Sequence, residues 1–433
     1  MNLYFDNAAT SHPKPEEVYQ ACDQVLRAGG NAGRGGHSVS LAAAMRHFES
    51  RHEIAQFLGI ADSSRLIFTS GCTASINLVL NGMVGAGRLK AGDTVLTSAF
   101  EHNAVMRPLK ALADGLNFNL VVVPGQCDAL IDLEKLDSLL AARKPALCIF
   151  ARASNVTGQI LDLHAVSTLV EGYGIPLLID AAQSAGIVPE QLSTSSSGVS
   201  FWVASGHKNL LGPPGIGLLY VRENQLLNPP LGGGTGSGSE SFSMPEALPD
   251  RLEPGSPAVH LACGVAAGVR YLQSLPGGLA TARAHDNVLS MRFLHGLAVL
   301  NQSSIDSGLG IIELVGRPSW NLNLPVEAQT QVVEDYLPVF SLRYMTVDKA
   351  GDVNNLPQTR LAPAGLTPDR VAQYLDADFG MASRPGLHCA LLAHQTLGTV
   401  EQGLLRVSFG HYNTEAEVDS LLAALESAWD LAH

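Results

Sequence analysis

A stretch rich in glycine and proline reads Ser205-Gly206-His207-Lys208-Asn209-Leu210-Leu211-Gly212-Pro213-Pro214-Gly215. It connects two apolar, β-rich runs, Ser200–Ala204 and Ile216–Val221, which predicts a crossing between two strands of a sheet. Lys208 is one of seven lysines, and the other six lie among polar, turn or helix-surface neighbours. Desolvation in such a crossing would lower the pKa of the Lys208 amine and make it a nucleophile, whereas an ordinary loop lysine stays solvated.

Five more apolar runs of strand length precede this crossing: Leu66–Thr69, Thr94–Thr97, Leu120–Val123, Ala146–Phe150 and Pro176–Ile179. Helical periodicity lies between several of them, and an early helix is predicted between Pro15 and Gly29. Short strands that alternate with helices build a mostly parallel sheet covered by helices. The sequence therefore predicts an α/β fold.

Residues 228–257 differ from the rest in composition, because they are rich in Gly, Pro and Ser. Composition alone fits either a linker or a structured loop. Helical stretches follow, and then a second α/β region that ends in Leu404–Phe409 and in a helix capped by Thr414. These features predict a second, smaller domain.

Composition and charge exclude several classes of protein. Of the 433 residues, 46% are hydrophobic and only 15% are charged, so a large core is available. The net charge of −13 and the lack of a basic run argue against nucleic acid as a partner. The sequence shows no signal-peptide pattern and no apolar run of about 18 residues, so we expect a cytoplasmic protein with no membrane span.

The six cysteines are scattered without a C-x-x-C pair, which predicts reduced thiols and no metal site. The glycine-rich nucleotide motifs, the G-x-S-x-G motif and the H-E-x-x-H motif are absent as well. In a parallel α/β sheet, ligands bind beyond the carboxyl ends of the strands. The residues that follow each predicted strand are therefore the candidates for a site.

Four such positions carry suitable groups. Ser70–Ser75 opens a helix whose N-terminus favours a phosphate, and His102 has a flat ring that can stack on another. Asn155 follows a strand, and Asp180 ends one, with Gln183 one helical turn further on. A carboxylate at the end of a buried strand needs a nearby cation or hydrogen-bond donors, because an unpaired buried charge is unfavourable. Each position also has an ordinary interpretation, as an N-cap turn, a surface histidine, a turn residue or a capping carboxylate.

Taken together with Lys208, these positions favour one cofactor. A phosphate anchor, a stacking imidazole, a strand-end carboxylate and a desolvated amine are the four groups that pyridoxal 5'-phosphate requires.

Four motifs extend this interpretation over nearly the whole chain: Tyr4-Phe5-Asp6-Asn7-Ala8-Ala9-Thr10, Asn31-Ala32-Gly33-Arg34-Gly35-Gly36-His37-Ser38, Ser205-Gly206-His207-Lys208 and Arg384-Pro385-Gly386-Leu387-His388-Cys389-Ala390. With them, the sequence resembles the pyridoxal-phosphate enzymes of aminotransferase class V, and most of all the NifS-type cysteine desulfurases and selenocysteine lyases. The resemblance implies the type I fold of pyridoxal-phosphate-dependent transferases. It also implies a large domain of residues 13–279 with a mostly parallel mixed sheet, and a smaller α/β domain of residues 1–12 and 280–433.

The resemblance further implies roles for single residues. Lys208 would form the Schiff base with the cofactor, Asp180 would pair with the pyridine nitrogen, and His102 would stack on the ring and assist catalysis. The phosphate would be held by Thr73, Ala74, Ser205 and His207. The ring hydroxyl would be faced by Asn155 and Gln183. The protein would be a homodimer with shared active sites, in which Ser256 of the other subunit joins the phosphate contacts. The turn departs from the family at Cys72, where Thr is frequent, and at Ala74, where Glu is common.

The substrate side follows from the same resemblance. Arg406 would bind the substrate carboxylate, with Arg384 as a helper and Asn7 lining the site. Cys389 would be the sulfur-accepting nucleophile, its thiolate favoured by His388 and Arg384, although a buried cysteine is the ordinary interpretation.

The implied reaction converts L-cysteine to L-alanine and leaves a persulfide on Cys389, which a thiol or a sulfur-acceptor protein would remove. One alternative is L-selenocysteine as the substrate. Another is a different reaction, either transamination or epimerisation. The short stretch between Cys389 and Arg406 resembles the desulfurases with a constrained cysteine loop, which implies modest activity without an acceptor.

Overall fold

The computed structural model describes residues 3–33, 35–125, 129–194, 197–317, 326–345 and 365–432. Within these ranges the strands are β1 (Leu3–Tyr4), β2 (Leu66–Thr69), β3 (Thr94–Ser98), β4 (Asn119–Val123), β5 (Leu147–Ala151), β6 (Leu177–Asp180), β7 (Phe201–Ser205), β8 (Gly217–Val221), β9 (Ile311–Val315), β10 (Val339–Met345), β11 (Met381–Ala382), β12 (Arg384–Gly386) and β13 (Leu404–Ser408). The α-helices are α1 (Glu16–Ala28), α2 (Ser38–Phe57), α3 (Cys72–Gly85), α4 (Asn103–Leu116), α5 (Leu133–Arg143), α6 (Leu163–Gly172), α7 (Val259–Ser274), α8 (Leu279–Asp306), α9 (Val326–Glu334), α10 (Pro368–Phe379), α11 (Leu391–Thr396) and α12 (Glu415–Ser427).

A mostly parallel sheet forms the larger part of the fold, in the order β2-β8-β7-β6-β5-β3-β4. Strand β8 runs antiparallel to both of its neighbours, and the other pairs are parallel. The central strands β5, β6 and β7 are buried along their whole length, as expected for parallel strands covered on both faces. All seven strands predicted for this part of the chain are confirmed, with ends that differ by at most one residue.

The C-terminal part has its own antiparallel sheet, in the order β12-β13-β10-β9. Its core contains Phe293 of α8 together with Phe340 and Phe409, and helix α12 packs on the same side. Strand β1 pairs in parallel with β11, so the first described residues join this part of the fold. The domain boundary at residue 279 remains a prediction, and Leu279 is the first residue of α8.

The Gly/Pro/Ser-rich stretch is a structured loop and not a free linker. Residues 228–257 contain no helix or strand, yet Leu252 is buried and Glu253 is anchored from two directions. Its carboxylate accepts hydrogen bonds from both terminal nitrogens of Arg51, at 2.7 and 2.8 Å, and from the backbone N–H of Phe68 at 2.5 Å. These bonds hold the loop against α2 and the edge strand β2.

Arg34 of the second motif and Cys127, one of the six cysteines, lie outside the described residues. In the part of the chain that is described, no helix is both long and apolar enough to cross a membrane.

The predicted cap of the last helix is confirmed as a reciprocal capping box. The Thr414 side chain accepts the N–H of Glu417, and Glu417 accepts the N–H of Thr414 in return. We expect Thr414→Ala to reduce the free energy of unfolding by about 1 kcal/mol, measured by urea denaturation. Thr414→Ser keeps the hydroxyl and should match the native protein. Equal stability of all three proteins would contradict the assigned role of the cap.

Candidate active site

A cavity opens at the carboxyl ends of β5, β6 and β7, where the two parts of the fold meet. Eleven of the residues predicted from the sequence line it: Thr73, His102, Asn155, Asp180, Gln183, Ser205, His207, Lys208, Arg384, Cys389 and Arg406. The sheet accounts for this convergence, because parallel strands place their carboxyl ends at one edge. Residues that are far apart in sequence therefore face one another.

Lys208 follows β7 in the glycine-rich crossing, and burial of its amine lowers its pKa. The Asp180 carboxylate acts in the opposite direction, while Arg406 adds to the lowering. A lower pKa increases the fraction of uncharged amine, which is the nucleophilic form. The desolvation predicted from the sequence for Lys208 is therefore present in the structure.

Lys14 is a second partly buried lysine, which the argument from sequence neighbours did not find. Its amine donates to Ser11 Oγ at 2.7 Å and to the carbonyl of His207 at 2.6 Å. Burial lowers its pKa to about 8. The sequence neighbours of Lys14 are polar or turn-forming, and its burial comes from packing on the distant Ser205–Lys208 turn, which sequence neighbours do not show.

Asp180 ends β6 and has 6% of its surface exposed. Its Oδ1 accepts the N–H of Ala182 at 2.9 Å and the thiol of Cys72 at 3.5 Å. Both bonds use the same oxygen and fix the carboxylate at the wall of the cavity. The thiol donor was not foreseen, because the sequence marks Cys72 only as a departure in the phosphate turn.

The predicted phosphate turn lies at the N-terminus of α3. The first N–H groups of a helix have no partner within it, and they favour an anion. Thr73, Ser205 and His207 surround this helix end, and Ala74 lies in the same depression. Gly217 permits the close approach of β8, since a Cβ there would lie 2.3 Å from the carbonyl carbon of Gly71.

His102 caps α4 and lines the cavity. Its Nδ1 accepts the N–H of Ala104 at 3.0 Å, so the neutral ring carries its proton on Nε2. Burial is the main cause that lowers its pKa, followed by the nearby Lys208. The ring is thus held in one orientation by the start of the helix.

Asn155 and Gln183 line the cavity with side chains that already have partners. Asn155 Nδ2 donates to the carbonyl of His388 at 2.7 Å, and Gln183 Nε2 donates to the carbonyl of Ala8 at 2.9 Å. The Asn7 side chain does not line the cavity. Its amide donates to the carbonyls of Tyr4 and Ser408 and to Asn413 Oδ1, so the structure places Asn7 behind the cavity wall and not on it.

Arg406 lies on β13 with 3% of its side chain exposed. One terminal nitrogen donates to Asp6 Oδ1 at 2.7 Å and the other to the carbonyl of Asn155 at 3.2 Å, while Nε has no partner among the described residues. Arg384 approaches the same Asp6 at 3.8 Å. Two guanidinium groups and one carboxylate leave a net positive charge that suits one substrate carboxylate.

Cys389 is exposed, so the interpretation as a buried packing residue is wrong. It and His388 both have left-handed backbone conformations, with φ of 56° and 49°. His388 cannot supply a positive charge to the thiolate as predicted, because burial lowers its pKa to about 3 and keeps the ring neutral. Arg384 remains as a nearby cation.

Ser256 does not line the cavity of its own chain. It lies on a wide groove between α2 and the 228–257 loop, and Ala74 and Asn77 of α3 also line this groove. Its predicted contact with the other subunit therefore stays a prediction.

The donor set fits pyridoxal phosphate. A helix N-terminus with hydroxyl groups would hold the phosphate, Asp180 offers a fixed carboxylate, and Lys208 offers a desolvated amine in the same cavity. Among the described residues, no group of three or more His, Cys, Asp or Glu side chains is arranged to hold a metal ion.

The chain belongs to the aminotransferase class-V family, whose sequence profile matches residues 3–307 and 343–421. Members of this family depend on pyridoxal phosphate, in agreement with the donor set.

Cysteine desulfurases from other organisms are similar to this chain over nearly its whole length. The chain is 30% identical to a probable cysteine desulfurase of Pyrococcus abyssi, over 98% of this chain and 93% of the relative. It is 29% identical to the cysteine desulfurase CsdA of Escherichia coli, over 99% and 94%. Among solved structures, the apo cysteine desulfurase of Thermococcus onnurineus is 30% identical with a TM-score of 0.80, and covers 98% of this chain and 94% of its own.

Glu101 is a buried carboxyl beside the cavity that the sequence analysis did not single out as a site residue. Its Oε1 accepts the Ser98 hydroxyl at 2.5 Å and the N–H of Ala151 at 2.8 Å, which joins the ends of β3 and β5. Its Oε2 has no hydrogen-bond partner among the described residues. Burial raises its pKa from 4.5 to about 8.

This shift predicts a pH-dependent stability. Between the two pKa values the folded protein holds a proton that the unfolded chain has released, so stability falls as pH rises across that window. Glu101→Gln mimics the protonated form and should melt at a higher temperature than the native protein near pH 9, with little difference near pH 5. Glu49→Gln, on the exposed surface of α2, is the matched control. Parallel melting curves for the native and Glu101→Gln proteins at every pH would contradict this account.

Proposed function

We propose that the protein is a pyridoxal-phosphate-dependent cysteine desulfurase that converts L-cysteine to L-alanine and carries the sulfur as a persulfide on Cys389. One observation carries the proposal: an exposed thiol on a left-handed turn faces the cavity that contains Lys208 and Asp180. The names of the relatives support it, since cysteine desulfurases match over nearly the whole chain.

In this proposal the chain holds the cofactor through groups of complementary chemistry. Lys208 would bind it covalently, Asp180 would pair with the pyridine nitrogen, and His102 would stack on the ring. The α3 N-terminus with Thr73, Ser205 and His207 would hold the phosphate. The bound cofactor supplies an electron sink for the substrate Cα.

The substrate is held and activated by side chains of this protein. Arg406 binds the α-carboxylate, using donors that Asp6 and Asn155 leave free, and Arg384 assists. The amine of L-cysteine would displace Lys208 from the cofactor, and the released, uncharged Lys208 amine would then remove the Cα proton, which its lowered pKa favours. His102 lines the same cavity and carries its proton on Nε2.

Sulfur transfer is then a nucleophilic attack. The Cys389 thiolate attacks the sulfur of the bound L-cysteine, an S–S bond forms, and the bond between that sulfur and Cβ breaks. The electron pair of the broken bond stays on Cβ, which takes up a proton in place of the sulfur. Cα regains the proton that Lys208 removed, and L-alanine is released. An acceptor thiol must then remove the persulfide, and the exposure of Cys389 supports transfer to a protein acceptor.

The proposal predicts a sharp difference between two cysteines. Cys389→Ser should lose sulfide and alanine production from L-cysteine, assayed with a reductant at equal cofactor content, because an alcohol cannot take up the sulfur. Cys22→Ser is the matched control, since Cys22 is half-buried, does not line the cavity, and donates its thiol proton to the carbonyl of His260. Full activity of the Cys389→Ser protein would remove this thiol from the mechanism.

We further propose a homodimer in which Ser256 reaches the phosphate of the other subunit. The groove that contains Ser256 also contains Phe48 and Leu231, whose surfaces are 59% and 70% exposed. Large apolar side chains around a groove beside the phosphate turn are typical of a surface that another protein covers. A second copy of this chain would both cover them and complete the anchor.

The dimer is tested by charge introduced into that groove. The native protein should sediment as twice the chain mass of 45.6 kDa. The double variant Phe48→Asp/Leu231→Asp should sediment as a monomer and bind pyridoxal phosphate more weakly, because it lacks the partner's hydroxyl. Phe379→Asp changes an exposed aromatic residue away from the groove and is the control. A native protein that sediments as a monomer would contradict the proposed dimer. A monomeric double variant that binds pyridoxal phosphate as tightly as the native protein would contradict the shared site.

A further inference from the structure

The turn that carries Cys389 has an unusual backbone. His388 and Cys389 are consecutive non-glycine residues in the left-handed region, at φ of 49° and 56°. Such conformations are unfavourable for residues with a Cβ and persist only where surrounding contacts enforce them. The contacts that enforce this turn therefore decide where the thiol points.

Two hydrogen bonds fix the carbonyl groups of these same two residues. The side-chain Nδ2 of Asn155 donates to the carbonyl of His388 at 2.7 Å. The backbone N–H of Asn103 donates to the carbonyl of Cys389, also at 2.7 Å. Asn155 follows strand β5, and Asn103 is the first residue of α4, which follows β3, whereas the turn lies in the C-terminal part of the fold.

Asn155 also contacts the substrate-binding arginine. Its backbone carbonyl accepts a hydrogen bond from Arg406 at 3.2 Å, and Asn155 itself has 6% of its surface exposed. One buried residue thus joins the guanidinium that would bind the carboxylate to the turn that carries the nucleophile.

We propose that Asn155 is a positioning residue for sulfur transfer, which holds the Cys389 turn in its strained form through the hydrogen bond to His388. This role rests on the proposed function and is additional to any contact of Asn155 with the cofactor. Without the side-chain donor, the turn relaxes toward ordinary backbone angles, and the thiol leaves the position from which it attacks.

Hydrogen exchange of the holoenzyme measures the turn directly. In Asn155→Ala, amides of the segment 386–391 should exchange about tenfold faster, the factor expected when one buried hydrogen bond is lost. The same result is expected for Asn155→Asp, which keeps the size of the side chain but loses the donor. Asn301→Ala is the matched control, because Asn301 makes a similar side-chain bond to the carbonyl of Ile312 far from the turn.

Enzyme kinetics give the second readout. The kcat for alanine formation should fall in both Asn155 variants while KM for L-cysteine changes little, because the arginine contact uses the backbone of Asn155. Unchanged exchange at 386–391 in both variants, accompanied by an altered absorbance of the bound cofactor, would overturn the proposal and leave Asn155 as a cofactor contact. The exchange result is independent of the proposed reaction, so failure of the native protein to desulfurate cysteine would be recognised separately.

Discussion

The Lys208 amine lies in a cavity that removes it from bulk water, with the Asp180 carboxylate as the main charge that offsets this burial. Burial of a charged group is unfavourable unless partners compensate for it, and the whole site is arranged around that requirement. Asp180 is held by the N–H of Ala182 and by Cys72, and the crossing that carries Lys208 is supported by Thr10 and Ser11 from the N-terminal segment.

The second half of the site balances charge in a similar way. Arg406 is nearly buried, and Asp6 neutralises one side of it without using all its donors. Asp6 belongs to the first residues of the chain, and Arg406 to one of the last strands. The position proposed to bind the substrate carboxylate therefore forms only when these two segments of the chain meet. Asn7 contributes by tying the N-terminal segment to Ser408 and Asn413.

Much of the large sheet and of the cavity lining could be predicted from the sequence. Buried strands such as β5 to β7 are short apolar runs, so their positions follow from composition, and the residues after them identify one edge of the sheet. The structural role of Asn7, the neutral state of His388 and the partial burial of Lys14 could not be predicted. Each depends on what packs against the residue from a distant part of the chain, which periodicity and spacing do not contain.

The hydrogen bond between Asn155 and His388 illustrates the same limit. Sequence places Asn155 after a strand and His388 beside the cysteine, but only the fold brings the amide to the carbonyl. Positions that break local rules, such as two consecutive left-handed non-glycine residues, are expected where function constrains the backbone.

The account as a whole depends on which amine bonds the cofactor. The decisive measurement is reduction of the holoenzyme with borohydride, followed by mass spectrometry of its peptides to locate the modified lysine. The account predicts a phosphopyridoxyl group on Lys208 alone. A group on Lys14, the other lysine whose pKa burial lowers in the described structure, or no modified lysine at all, would contradict it.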